Sequence, residues 1–217
     1  MPETTTTFFY IMFGASAIVS YLLGGINAAI IMSRLVHHED IRKKGSGNPG
    51  FTNYKRVYGG DFVAWLVLIL DVLKTVVPVL ASALVMQHFF GLWQFAAAFS
   101  GLFCMLGHCF PVWYKFKGGK AFIAGFATTW FVDWRMALIA MTLFMIILFT
   151  VKYMSVASCT ASFACPVILS FLSPQSIWVL ILCAVSALLV IVRHYENFIK
   201  LAKGTESKFS LKSKAQG

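Results

Sequence analysis

The chain has 217 residues, of which 59% are hydrophobic and 12% are charged, and its formal net charge at pH 7 is +10. Soluble domains average about 45–50% apolar and about 25% charged residues, so a soluble domain of this length could not bury so much apolar surface. The composition excludes an ordinary soluble protein. It predicts a single integral membrane domain over residues 1–217, with a basic tail at about 203–217.

Six apolar segments are candidates for crossing a bilayer, whose hydrocarbon core is spanned by roughly 20 apolar residues. In chain order they are 8–32, 63–86, 94–113, 136–151, 156–172 and 177–192. A seventh run, 121–132, is short and would span only if neighbouring helices covered its backbone polar groups. The sequence therefore predicts an all-α fold with about seven transmembrane helices.

The distribution of Lys and Arg predicts the orientation. If the N-terminus lies outside, 16 of the 18 basic residues fall in cytoplasmic segments: six in 34–56, three in 115–120, Lys152, and six from Arg193 onward. Cytoplasmic loops are enriched in Lys and Arg, so we expect the N-terminus outside and the C-terminus in the cytoplasm. The same rule explains the positive charge, and we do not expect the protein to bind nucleic acid.

The first basic loop contains Gly-Ser-Gly-Asn-Pro-Gly at 45–50. Such a tight turn can direct backbone N–H groups into one concavity and bind an anion, although a plain turn between two spans would look similar. The neighbouring side chains can donate hydrogen bonds, and an arginine can hold a phosphate by two parallel bonds. These side chains are Ser46, Asn48, Thr52, Asn53 and Arg56.

The second basic loop contains Gly-His-Cys-Phe-Pro at 107–111 and Lys-Gly-Gly-Lys at 117–120. Lysine binds phosphate as a point charge. His108 lies inside an apolar span, where an ionisable group merits a functional hypothesis even though a structural histidine is the commoner case. Two further segments reach the same side, with Ser155 in one and His194 and Asn197 on one helix face in the other.

Taken together, these motifs resemble the PlsY family, the bacterial membrane acyltransferases that use acyl-phosphate to acylate glycerol 3-phosphate. The resemblance covers most of the chain and rests on 45–56, 107–120 and 193–206 in the family's order. It implies that the acyl group moves to the 1-hydroxyl of glycerol 3-phosphate, giving lysophosphatidic acid and phosphate in phospholipid synthesis. It also implies a bacterial inner-membrane location with the active face in the cytoplasm, and no cofactor or metal.

The resemblance carries a set of site residues. It implies catalytic roles for Ser46, His108, Ser155, His194 and Asn197. It implies substrate-binding roles for Asn48, Thr52, Asn53, Arg56, Lys117, Gly118, Gly119, Lys120 and Glu206. Whether a histidine or a substrate phosphate takes the proton stays open. The chain departs from the family pattern at 121–124, where Ala-Phe-Ile-Ala replaces Gly-Val-Ala-Thr, and at Asn27, where proline is common.

The alternative function is a small membrane transporter of an organic phosphate or another anion. Asp71 and Lys74, one helical turn apart within a span, would then be a coupling pair, or else simply a buried ion pair. Transporters usually contain internal repeats, and the sequence shows none. The other large glycerolipid acyltransferase group and the nucleophile-elbow hydrolases are excluded, because the sequence contains neither a His-x4-Asp pair nor a Gly-x-Ser-x-Gly elbow.

Overall fold

The computed structural model describes residues 3–172 and 176–209, with side chains from residue 6 onward. Residues 173–175, between the last two predicted spans, and residues 210–217 of the predicted basic tail lie outside the described residues. Within them the fold is α-helical, and 3-10 turns occupy Ile41–Lys43 and Val112–Tyr114. The α-helices are α1 Glu3–Gly24, α2 Ala28–His37, α3 Phe51–Tyr58, α4 Phe62–Phe90, α5 Trp93–Cys109, α6 Phe122–Val132, α7 Trp134–Val151, α8 Met154–Leu172, α9 Ile177–Arg193 and α10 Tyr195–Ala202.

The helices confirm an all-α membrane fold. Five segments of the described chain are long and apolar enough to cross a membrane, and a sixth is obtained if α9 and α10, which meet at a bend of 49°, count as one span. The seventh predicted segment forms α6, which has only 11 residues. The number of crossings and the sides of the termini therefore stay predictions.

The first predicted span is interrupted. The apolar run 8–32 was expected to form one helix, but α1 ends at Gly24 and α2 begins at Ala28. Asn27 stabilises this break in two ways: its Oδ1 accepts a hydrogen bond from Ile30 N at 2.9 Å, and its Nδ2 donates to Pro49 O at 3.0 Å. The helix break is thereby tied to the first basic loop.

Helix α5 lies in the middle of the bundle and packs against α1, α4, α6 and α9. Its contact with α1 is close enough to exclude side chains. A Cβ added at Gly24 would lie less than 3.0 Å from the backbone of Cys104, and one added at Gly107 would be equally close to the backbone of Tyr21. Small residues at such interfaces let two membrane helices pack backbone to backbone. This contact places the end of α5 beside the α1–α2 break.

Four segments that carry Lys or Arg meet at one end of the bundle, which we call the basic end (residues 34–62, 110–121, 152–155 and 193–209). Arg42 Nη1 donates to Tyr114 O at 3.5 Å, which joins the first two segments. Phe209 N donates to Lys152 O at 2.6 Å, which joins the last two. Arg193 Nε donates to Gly119 O at 3.0 Å, which joins the two pairs, so these segments cluster in the fold.

Helix α6 begins after a residue with unusual backbone geometry. Ala121 is buried and has φ 58° and ψ 10°, in the left-handed region. This conformation costs a residue with a Cβ roughly 1–2 kcal/mol, whereas glycine adopts it freely. The position is the one at which the PlsY pattern has glycine.

We expect Ala121→Gly to raise the free energy of unfolding by roughly 0.5–1 kcal/mol, because the relief of backbone strain exceeds the entropy that glycine adds to the unfolded chain. Thermal unfolding in detergent measures the change. Ala124→Gly is the matched control, since Ala124 is a buried residue inside the same helix and glycine there should destabilise by about 0.5–1 kcal/mol. Equal destabilisation by both substitutions would contradict the strain at Ala121.

Candidate active site

A cavity of about 430 Å³ is present at the basic end. Ligand sites typically have volumes of about 300–1,000 Å³, so it can hold a small polar molecule. Three of the sequence motifs line it together. The lining residues are Ser46, Gly47, Asn48, Gly118, Lys120, Val192, Arg193, Tyr195 and Glu196.

The buried side chain of Asn53 holds the backbone conformation of the first loop. Its Oδ1 accepts from Ser46 N at 2.8 Å, and its Nδ2 donates to Lys44 O at 3.0 Å. Gly45 has φ +56°, and a Cβ at this residue would overlap the Asn53 side chain. Asn53 therefore holds the turn that presents Ser46 and Asn48 to the cavity.

Several backbone N–H groups of this loop donate hydrogen bonds to acceptors in or next to the loop. Gly47 N donates to Lys44 O at 2.9 Å, and Gly50 N donates to Asn48 O at 3.0 Å. With Ser46 N on the Asn53 side chain, three of the groups expected to form an anion nest already have partners. Anion binding at this wall therefore depends on side chains more than the sequence suggested.

The second loop is held by hydrogen bonds to both the N–H and the carbonyl groups of Gly118 and Gly119. Gly118 N donates to Cys109 O at 3.2 Å and Gly119 N donates to His108 O at 3.0 Å, which satisfies two carbonyl groups at the end of α5. From the other side, Arg193 donates to Gly119 O through Nε at 3.0 Å and to Gly118 O through Nη2 at 3.2 Å. The Gly118–Gly119 turn is therefore fixed between α5 and α9.

Lys120 is half-buried and points toward α10. Its Nζ donates to Asn197 Oδ1, and Asn197 Nδ2 donates in turn to Glu206 Oε1 at 2.6 Å. Burial lowers the pKa of Lys120 because it disfavours the charged ammonium, while the nearby carboxylates of Glu206 and Glu196 act in the opposite direction. An ammonium has three N–H donors, so Lys120 can contact Asn197 and a ligand oxygen at the same time.

The two histidines of the motifs lie next to the cavity wall. His194 is buried in the bend between α9 and α10, and its Nδ1 donates to Val190 O at 2.8 Å. Since a carbonyl only accepts, Nδ1 carries the proton and Nε2 of the neutral ring keeps a lone pair. His108 is 6% exposed and contacts Lys74 Nζ through Nδ1 at 2.9 Å, behind the Gly118–Gly119 turn.

Ser155 is a further catalytic candidate from the sequence. It lies in the first turn of α8 and is 1% exposed. Its hydroxyl has no hydrogen-bond partner within the described ranges 3–172 and 176–209. A buried hydroxyl without a partner costs about 1–3 kcal/mol, and a bound molecule can supply the missing bond.

An apolar groove begins close to the polar cavity. Five helices, α5 to α9, line it. Phe122 and Val190 belong to its lining and lie only two or three residues along the chain from Lys120 and Arg193. The lining continues to Val132 at the far end of α6, whose 11 residues correspond to about 16 Å. The site therefore combines a polar cavity with a nearby narrow apolar groove of about 50 Å³.

The chain is similar to known proteins along most of its length. A sequence model of a family described as glycerol-3-phosphate acyltransferase matches residues 14–204.

The chain belongs to the PlsY family of glycerol-3-phosphate acyltransferases.

Individual relatives agree with this assignment. The chain is 39% identical over 198 residues to the glycerol-3-phosphate acyltransferase of Neisseria meningitidis serogroup B, covering 91% of this chain and 98% of that protein. It is 36% identical over 198 residues to the Coxiella burnetii enzyme of the same name (strain CbuG_Q212), covering 90% and 97%. These matches favour an acyltransferase over a transporter.

Solved structures show the same fold. The crystal structure of PlsY (YgiH), an integral membrane glycerol 3-phosphate acyltransferase, in its glycerol 3-phosphate form superposes with a TM-score of 0.81 at 34% identity. The match covers 91% of this chain and 96% of that one. The lysophosphatidic acid form gives a TM-score of 0.77 at 33% identity, with 91% and 95% covered.

The structure brings some predicted site residues together and leaves others apart. Ser46, Asn48, Gly118 and Lys120 line the cavity, whereas Asn53, His108 and Gly119 support its walls, and Asn197 and Glu206 hold Lys120. Thr52 is half-buried on α3, and the exposed Arg56 and Lys117 do not line the cavity. Arg193, Tyr195 and Glu196 were not predicted as site residues.

Proposed function

We propose that the protein transfers the acyl group of acyl-phosphate to the 1-hydroxyl of sn-glycerol 3-phosphate, giving lysophosphatidic acid and inorganic phosphate. The observation that supports this most is the position of Lys120, which lines a polar cavity and lies two residues along the chain from Phe122 in the lining of an apolar groove. Both substrates carry a phosphate group, and one also carries an acyl chain. The family is the second support, because its proteins are glycerol-3-phosphate acyltransferases.

Lys120 is the proposed principal phosphate ligand. Its partner Asn197 orients the ammonium, and Glu206 orients Asn197. Ser46 and Asn48 line the same cavity and would supply neutral donors. We propose further substrate contacts at Thr52, Asn53, Arg56, Lys117, Gly118 and Gly119. The first carbons of the donor's acyl chain would enter the groove, where burial of each CH₂ contributes about 0.8 kcal/mol.

The proposed reaction is a direct acyl transfer. The 1-hydroxyl oxygen forms a bond to the acyl carbonyl carbon, and the bond between that carbon and the phosphate oxygen breaks, so phosphate leaves with the electron pair. Either His194 Nε2 or an oxygen of the leaving phosphate accepts the hydroxyl proton. Because an acyl phosphate is already activated, orientation and hydrogen bonds from Ser46, Ser155 and Asn197 to the developing charge suffice without a covalent enzyme intermediate.

The proposed location is a bacterial inner membrane with the basic end in the cytoplasm and the N-terminus outside. The distribution of Lys and Arg motivates it. A single cysteine at position 207, in a cysteine-free background, should then resist an impermeant thiol reagent in intact cells. Rapid labelling of that cysteine would contradict the orientation.

The donor is tested by incubating the purified protein with labelled glycerol 3-phosphate and either an acyl-phosphate or an acyl-coenzyme A of the same chain length. We expect lysophosphatidic acid from the acyl-phosphate alone, with a rate that a metal chelator does not change. The reason is that an acyl-phosphate carries its phosphate group directly on the acyl carbon, whereas acyl-coenzyme A carries a thioester there. A requirement for acyl-coenzyme A would refute the proposed donor.

A further inference from the structure

A buried charged cluster lies behind the Gly118–Gly119 turn. Lys74 Nζ forms an ion pair with Asp71 Oδ1 at 2.8 Å, and the two side chains are 7% and 3% exposed. The same nitrogen donates to Ile26 O at 2.8 Å and contacts His108 Nδ1 at 2.9 Å. Neither charged residue lines the cavity. Nothing in the proposed reaction uses them.

The three contacts of Lys74 join three different parts of the fold. Asp71 belongs to α4, Ile26 to the break between α1 and α2, and His108 to the last turn of α5. Because an ammonium only donates, His108 Nδ1 must accept, and the ring proton is on Nε2. Lys74 therefore fixes both the orientation and the tautomer of His108, and it uses up the Nδ1 lone pair.

His108 in turn supports the Gly118–Gly119 turn. Its carbonyl accepts from Gly119 N at 3.0 Å. Its ring lies against the same residue, so closely that a Cβ at Gly119 would be less than 3.0 Å from His108 Nε2. Lys120 is the next residue in the chain. A chain of contacts thus leads from Lys74 through His108 and Gly119 to the ammonium in the cavity.

Stability alone does not explain this cluster. Taking two charges out of water costs several kcal/mol per ion, and their attraction often only offsets that cost, so apolar residues of similar volume would serve a purely structural contact as well. Ionisable residues inside membrane helices are costly and usually functional. The distinguishing feature is the His108 contact, because it links the ion pair to the turn that carries Lys120.

We propose that Lys74, held by Asp71, is a positioning residue for the phosphate site. It fixes His108, and the ring and carbonyl of His108 set the position of Gly119 and hence of the Lys120 ammonium. His108 then acts as a support for the turn and not as the base. This inference rests on the proposed function in one respect, the assignment of Lys120 to a substrate phosphate.

The test is a double-substitution cycle of Lys74→Met and Lys120→Ala in the full-length protein. Methionine keeps much of the length of lysine but cannot contact His108 as a donor. We expect Lys74→Met to lower kcat/KM for glycerol 3-phosphate about tenfold in the native background, and by less than about twofold once Lys120 is alanine, because coupled residues are not additive. Calorimetric titration with glycerol 3-phosphate should also show about tenfold weaker binding for Lys74→Met.

Asp133→Asn is the matched control. Asp133 forms an ion pair with Arg135 at 2.7 Å and caps α7, away from the basic end. Its loss should lower the melting temperature without weakening glycerol 3-phosphate binding. If Lys74→Met does not fold, Asp71→Asn serves in its place, because the amide keeps the shape of the carboxylate and removes only the charge that holds Lys74.

The outcomes separate the two proposals. Unchanged glycerol 3-phosphate binding in folded Lys74→Met protein, or an equal loss of kcat/KM in both Lys120 backgrounds, would overturn the positioning role. A wild-type protein that binds glycerol 3-phosphate but does not use acyl-phosphate would refute the proposed donor. In that case the binding titrations of Lys74→Met still decide the positioning role.

Discussion

Replacing Lys120 by alanine is expected to lower kcat/KM for glycerol 3-phosphate by about 10- to 150-fold. The estimate follows from the roughly 1.5–3 kcal/mol that a hydrogen bond to a charged group contributes. Lys120 is half-buried in the cavity wall and is held in place by Asn197. Its removal therefore takes away a positioned charge that a mobile surface lysine could not replace. Initial rates with both substrates varied give the two kinetic constants.

Lys203→Ala provides the control for the change in net charge. Lys203 is an exposed residue at the end of α10, also at the basic end. Since exposed charges are screened by solvent and salt, we expect its kcat/KM to stay within about twofold of wild type. Matching kinetics of the two variants, in protein with matching melting temperatures, would mean that Lys120 only contributes to the general positive charge.

Gly118→Ala is expected to cause a loss of roughly 100-fold or more in kcat/KM. An added Cβ would lie less than 3.0 Å from the backbone oxygens of His108 and Cys109 and from the ring of Pro111. Overpacking of this kind costs about 1–3 kcal/mol and sometimes more, because backbone atoms at a helix end cannot rotate away as a side chain can. The turn must shift, and Lys120 shifts with it.

Gly14→Ala is the control for adding a methyl group. Gly14 lies within α1, and a Cβ there would meet nothing within 4 Å. This variant should keep wild-type activity and gain slightly in stability, since alanine is the better helix former. A Gly118→Ala enzyme with normal kcat/KM would show that the geometry of the turn does not matter for the reaction.

The sequence predicted the large features of the fold because they depend on composition. Apolar length located α4, α5, α7 and α8 to within a few residues at most ends. The break between α1 and α2 was missed although Gly24, Gly25 and Asn27 interrupt the otherwise apolar run 8–32. Its physical basis, the bonds from Asn27 to Ile30 and Pro49, connects segments that no local pattern relates.

The location of the site was predictable from the sequence, but which residues line the cavity and which support its loops was not. The motif around Gly118–Gly119 indicated phosphate binding, and Lys120 indeed faces a polar cavity. The part played by Arg193 was missed, because its guanidinium donates to main-chain carbonyls and a sequence motif does not encode such contacts. For the same reason, the sequence could not show that the Asn53 side chain holds the backbone of the first loop.

The most direct measurement of the central claim follows the bridging oxygen of the donor. Acyl-phosphate carrying a heavy oxygen isotope between carbon and phosphorus is incubated with the purified protein and glycerol 3-phosphate, and both products are analysed by mass spectrometry. Direct acyl transfer predicts one labelled inorganic phosphate for each unlabelled lysophosphatidic acid. Label retained in the acyl product, or phosphate released at the same rate without glycerol 3-phosphate, would contradict it.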